Sequence, residues 1–140
     1  MAQPAPTTSD LLRDPTVQRA LDEAWHDSLA DDPARRHEEG GWVYCDITTG
    51  AIAIRRTPAG GQAELDLSAP PQVTDSVVVA TFHTHPNPSA EGWKPGPSGE
   101  DSHLAWLLGV PFLVRADDGD HSTGPDSRRG GLVGDPGYPT

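Results

Sequence analysis

Apolar positions in this chain change their period as it proceeds, and the changes divide it into elements. Between residues 14 and 29, Val17, Ala20, Leu21, Ala24, Trp25 and Leu29 recur at helical spacing, which predicts one stripe facing a core. Asp14 stands where an N-cap belongs, and Pro15 takes the first helical position, where a missing N–H costs nothing. Pro33 cannot continue that helix. From Gly41 the apolar runs become short. Trp42-Val43-Tyr44-Cys45 and Ala51-Ile52-Ala53-Ile54-Arg55 flank an Ile-Thr-Thr-Gly turn and predict an antiparallel hairpin. Residues 57–72 are interrupted by Pro and Gly, with Ala63 to Leu67 reading as a third short strand. The β-branched run Ser76-Val77-Val78-Val79-Ala80-Thr81-Phe82 predicts a central strand covered on both faces. A loop from Pro86 to Pro97 leads to a second helix over Gly99–Leu108, and Pro111-Phe112-Leu113-Val114 reads as a further strand. Beyond Asp117 there is little to bury, and Leu132 and Val133 offer at most an edge strand.

These elements describe an α+β domain of four or five strands and two helices over residues 12–116. Residues 1–11 read as a disordered tail, and 117–140 as a mostly loose Gly/Pro-rich tail. Composition agrees with one small domain. Of 140 residues, 15 are Gly and 15 Pro, and 34% are hydrophobic, too apolar for a wholly disordered chain. The formal charge of −11 argues against nucleic acid and anionic lipid surfaces, which need a basic footprint. Leu104–Val114, the longest apolar stretch, is broken by Gly109 and Pro111 and is too short to span a bilayer. The first ten residues lack the basic start and apolar core of a secretory signal. The single cysteine, Cys45, rules out an intrachain disulfide and a multi-cysteine zinc ribbon. A cytoplasmic location is therefore expected.

Chemistry concentrates at the end of the central strand, in Phe82-His83-Thr84-His85-Pro86. Strand side chains alternate, so His83 and His85 project to one side and Thr84 to the other. Two imidazoles on one face make half of a metal site, and catalytic zinc commonly takes three protein ligands. Downstream, Ser98-Gly99-Glu100-Asp101 opens the second helix, and a carboxylate at Asp101 can swing back toward the strand end. A carboxylate that is not a ligand is also needed to take a proton from water. His37-Glu38-Glu39-Gly40-Gly41, before the first strand, supplies it.

Together these segments resemble the JAMM (JAB/MPN-plus) zinc metalloproteases, whose pattern is Glu with Gly three positions on, then His-Ser/Thr-His-Pro, then Ser-x-x-Asp. The resemblance covers roughly residues 36–115. It implies a curved mixed β-sheet flanked by helices, a fold related to cytidine deaminase. It implies Zn²⁺ bound by His83, His85 and Asp101, with Glu38 as general base and then acid. Ser98 would position water or stabilise an oxyanion. The implied activity is hydrolysis of a peptide or isopeptide bond in a protein or peptide substrate, ubiquitin-like proteins included. The short prokaryotic JAB proteins are the nearest in size, and a groove beside the strand of His83 would hold an extended peptide as an added strand. Two departures stand out. Twelve residues separate His85 from Ser98 where the family usually has seven, and the glutamate is doubled. Spacing to Gly41 favours Glu38, while a one-residue slip would select Glu39 on the opposite face.

Each piece alone has a plainer reading. Ser98-x-x-Asp101 is a capping box, Glu38-Glu39 an exposed acidic pair, and an isolated His-x-His a common surface feature. Cys45 reads as a small buried hydrophobe. His103 points away from Asp101 around the helix, while His26, His37 and His121 read as surface residues. Trp93 in the extended loop reads first as packing beneath it, with an exposed aromatic anchoring a peptide as the alternative. A JAB-like binding module without turnover, and a toxin or effector domain of a polymorphic or phage-related system, are the competing functions.

Overall fold

The computed structural model describes residues 5–125 and the backbone of 131–132. Six strands form one mixed sheet in the order β2-β1-β3-β4-β5-β6. They are β1 Gly40–Asp46, β2 Ile52–Arg56, β3 Ser76–His85, β4 Phe112–Ala116, β5 Gly119–Thr123 and β6 Gly131–Leu132. β3 and β4 run parallel and every other pair is antiparallel. Three helices accompany them, α1 Thr8–Arg13, α2 Pro15–Asp27 and α3 Gly99–Leu108.

The helices lie on opposite faces of the sheet. Leu11 of α1 and Val17, Ala20, Leu21 and Ala24 of α2 pack on Val43, Ala80, Phe82 and Leu113. On the other face, Ala105 of α3 joins Trp42, Tyr44, Phe112 and Leu67. Alternation along β1 and β4 separates the two sets, since Trp42 and Val43, like Phe112 and Leu113, point to opposite sides. A bulge in β3 opposite Val43 and Tyr44 changes the phase of that alternation, so Val79 packs with the first cluster and Val78 with the second.

α2 begins as its sequence dictates, with the Asp14 carboxylate accepting the N–H groups of Thr16 and Val17 at 2.8 and 3.3 Å. It ends earlier than the stripe implies. Ser28 turns its hydroxyl back to the Ala24 carbonyl at 2.8 Å, and Leu29 adopts a left-handed φ of 54°, which ends the helix. The extended stretch Ser76–Phe82 is central as expected and runs on to His85.

Three expectations need correction. Residues 8–11 of the expected N-terminal tail are helical, because Thr7 and Asp10 form a capping box and Leu11 is fully buried, while residues 1–4 lie outside the described residues. The segment after Ala116 turns back as β5 instead of running loose, with Thr123 opposite Phe112 and His121 opposite Val114. β5 contains no large apolar residue. It is held by backbone pairing and by a 2.7 Å hydrogen bond between Thr123 and Ser102 of α3. Val133 and the rest of the C-terminal tail, 126–130 and 133–140, lie outside the described residues. Finally, Ala63–Leu67 forms no strand. Leu67 is buried under Trp42, whose indole N–H donates to the Leu67 carbonyl at 3.0 Å, so that segment is a loop pinned to the sheet.

Candidate metal centre

The centre is built on the end of β3 where it is flanked on both sides. Gly40 pairs with His83 and Val114 of β4 also pairs with His83. A Cβ on Gly40 would fall 2.1 Å from the Phe82 carbonyl oxygen, so the backbones approach this closely because residue 40 has no side chain. Thr84 points to the α2 face, where its hydroxyl pairs with Ser28 at 2.5 Å and accepts the Glu39 N–H at 3.1 Å. His83 and His85 point to the α3 face. Their Nε2 atoms lie 3.2 Å apart, and His83 stacks edge-on against Phe112.

Asp101 reaches these imidazoles from the first turn of α3. Oδ1 lies 3.3 Å from His83 Nε2 and Oδ2 3.3 Å from His85 Nε2. The same carboxylate closes the capping box, accepting the Ser98 N–H at 2.9 Å while Ser98 Oγ accepts the Asp101 N–H at 3.0 Å. Cap and candidate ligand are thus one group. Ser98 lines the cleft with its hydroxyl proton still available to donate.

The doubled glutamate divides its roles. Glu38 is 7% exposed and lines the cleft. Its carboxylate and the two imidazoles place donor atoms within 4.8 Å of one another. Its backbone is clamped to the 60–61 segment, with its N–H to the Gly61 carbonyl at 2.8 Å and its carbonyl accepting from Gly60 at 2.9 Å. Glu39 lies away from the cleft, paired with Arg56 at 2.7 Å and His37 at 2.5 Å. His37 is accordingly half-buried and not a free surface residue.

Burial pushes the Glu38 carboxyl up to about 7, against the pull of His85 and with added like charge from Asp101, Glu100 and Glu64. Asp101 is also buried, which alone would raise it. The His83 charge and hydrogen bonds from His83, His85 and the Ser98 N–H overcome that and hold it well below the usual carboxylate range.

Two imidazoles flanked by carboxylates are a donor set able to hold a metal ion. Ligands about 2.0–2.1 Å from zinc sit about 3.3–3.4 Å apart at the corners of a tetrahedron; the His83 and His85 Nε2 atoms are 3.2 Å apart, and Asp101 meets each imidazole with a different oxygen, Oδ1 at His83 and Oδ2 at His85, both at 3.3 Å. His85 Nδ1 lies 3.2 Å from the Pro95 carbonyl, so an N–H there leaves Nε2 as the lone pair facing the centre. His83 Nδ1 is buried without a hydrogen-bond partner among the described residues.

The centre opens into a cleft of about 1290 Å³. One wall is the 57–68 loop and the other is the 92–101 segment. Trp93, expected beneath the loop, is 40% exposed and lines this cleft. Among the described residues, β1 and β4 flank residues 81–83 of β3 on both sides, and β4 continues to His85. An added strand therefore has no open backbone beside His83 itself. His121, expected on the surface, is 4% exposed on the same sheet face, and His103 stacks on Trp106 instead of facing the centre. Pro95 and Thr84 are the participants that sequence reasoning missed. A backbone carbonyl carries no residue signature, and Thr84 was visible only as the middle residue of the His-Thr-His triplet. No protein-family model, curated protein or solved structure matches this chain.

Proposed function

We propose that this chain is a zinc-dependent peptidase or isopeptidase of the JAMM type, with its centre at the base of the cleft. The observation that carries this reading is the pair of His83 and His85 imidazoles, 3.2 Å apart, with the Asp101 carboxylate against both and the buried Glu38 beside them. Zinc held there would supply Lewis acidity for a substrate carbonyl and acidify a water molecule.

The protein's own residues divide the remaining work. His83 and His85 are held by strand pairing, so the backbone beneath both imidazoles does not depend on loop order. Asp101 brings the negative charge that two neutral imidazoles lack. Glu38 takes the proton from the attacking water and delivers it to the leaving amine. A carboxyl whose pKa is raised toward neutrality is suited to both transfers. Ser98 faces the cleft with a hydroxyl able to donate to a developing oxyanion. The two loops forming the walls bind an extended segment between them, with Trp93 offering an aromatic surface on one side.

The test pairs metal content with turnover. The purified chain should hold one zinc, and it should cleave peptide or isopeptide fusions of small proteins. Glu38→Gln should keep the zinc and lose turnover, whereas His85→Ala should lose both. Turnover by Glu38→Gln near the wild-type level would refute the assigned role.

A further inference from the structure

The twelve residues between His85 and Ser98 are tied down along their length. Asn87 Nδ2 donates to the Gln62 carbonyl at 2.8 Å, and Ser89 Oγ donates to Asp117 at 2.8 Å. Glu91 pairs with the buried Arg36 at 3.3 Å. The last tie is the Pro95 carbonyl, 3.2 Å from His85 Nδ1. A proline carbonyl holds its position only if the backbone around it is held, and the next residue, Gly96, faces the buried His121 ring across ordinary van der Waals space for one added carbon. A Cβ built on Gly96 would stand 3.4 Å from Nδ1 and 3.7 Å from Cε1 of His121.

His121 is well placed to act as that seat. His83, Val114 and His121 lie in register on β3, β4 and β5 and face the same side. Two strand spacings separate His121 from His83, about 10 Å, so His121 supports the loop and is not a ligand. Its Nε2 lies 2.7 Å from Asp118 Oδ1, which fixes the ring plane. Its Nδ1 is buried with no hydrogen-bond partner among the described residues and lies on the side toward Gly96. A buried nitrogen left unpaired costs free energy. What the ring provides in return is a rigid edge beneath the loop.

We infer that His121 is a positioning residue for the metal centre: its buried ring seats Gly96, and through it the Pro95 carbonyl that orients His85. The lengthened loop thereby supplies the outer hydrogen bond that a metal-binding imidazole needs to present one nitrogen. This inference rests on the assignment of His85 as a ligand, and the experiment separates the two.

The experiment uses the full chain in metal-free form, then titrated with zinc or cobalt(II). Nitrogen-15 NMR of the metal-free chain should show His85 carrying its proton on Nδ1. In His121→Ala the proton should distribute over both ring nitrogens. Zinc affinity by chelator competition should fall about 10- to 100-fold, the usual effect of losing an outer-sphere partner, and the cobalt(II) visible bands should shift. His121→Phe, which restores a ring edge, should recover most of the affinity. Gly96→Val probes the same seat from the loop side without altering the sheet, and should reproduce the loss if His121→Ala does not fold. An unchanged His85 tautomer and unchanged affinity in a folded His121→Ala or Gly96→Val would overturn the inference while leaving the metal centre intact. A tautomer change in a chain that takes up no metal would support the seat and refute the metal reading.

Discussion

Glu38 should make the metal-free protein less stable in proportion to how well it is prepared for proton transfer. A carboxyl raised from 4.5 to about 7 in the folded state is favoured there when protonated. Its stabilising contribution is fully present below pH 4.5 and is lost as pH rises toward 7, because the folded state then holds a proton that the unfolded state has released. That gap, at about 1.4 kcal/mol per pH unit, amounts to about 3 kcal/mol. Glu38→Gln keeps the shape and removes the charge. Its stability relative to wild type should be near zero at pH 4, rise through pH 5–7 and level off at about 3 kcal/mol above pH 8. Urea unfolding of both chains in the presence of a chelator, across pH 4–9, measures the difference directly. A pH-independent difference would refute the reasoning, and so would a Glu38→Gln protein less stable at pH 8 than wild type. With zinc bound the advantage should shrink, since the cation offsets the buried negative charge.

Other substitutions should separate structure from chemistry. Asp101→Asn should lower zinc stoichiometry toward zero while α3 stays folded, read by metal analysis beside circular dichroism. Glu39→Gln weakens charge-assisted bonds to Arg56 and His37, so it should cost about 1.5–3 kcal/mol in urea unfolding yet leave turnover per folded molecule unchanged. A large loss of kcat there would move the general base to Glu39. Thr84→Val strands the Glu39 N–H and removes the hydroxyl facing Ser28, and should cost about 1–3 kcal/mol by the same assay. Ser98→Ala removes the cap, costing about 1 kcal/mol. A fall in kcat at unchanged zinc content would assign its hydroxyl to the reaction as well.

Local periodicity and local chemistry were enough to locate α2, the hairpin of β1 and β2, the central β3, and α3. In each, neighbouring residues carry the instruction, through an Asp14 cap, an apolar run or a Ser98–Asp101 box. The same locality placed His83 and His85 on one face, since alternation along a strand needs no partner. It also made Glu38 and Asp101 candidates by their positions at element ends. What sequence could not decide depended on residues far apart in the chain. β5 is polar throughout and exists because Phe112–Ala116 offers it a free edge. Glu38 and Glu39 are alike until Arg56 and His37 claim the second. The pairing of β4 with β3 occupies the edge next to His83 that an added strand would need. His121 looks like any surface histidine until β5 carries it beneath Gly96. Short-range geometry is written in spacing. Which face is covered, which carboxylate is neutralised and which carbonyl meets His85 are settled only when the sheet assembles and distant segments compete for the same space.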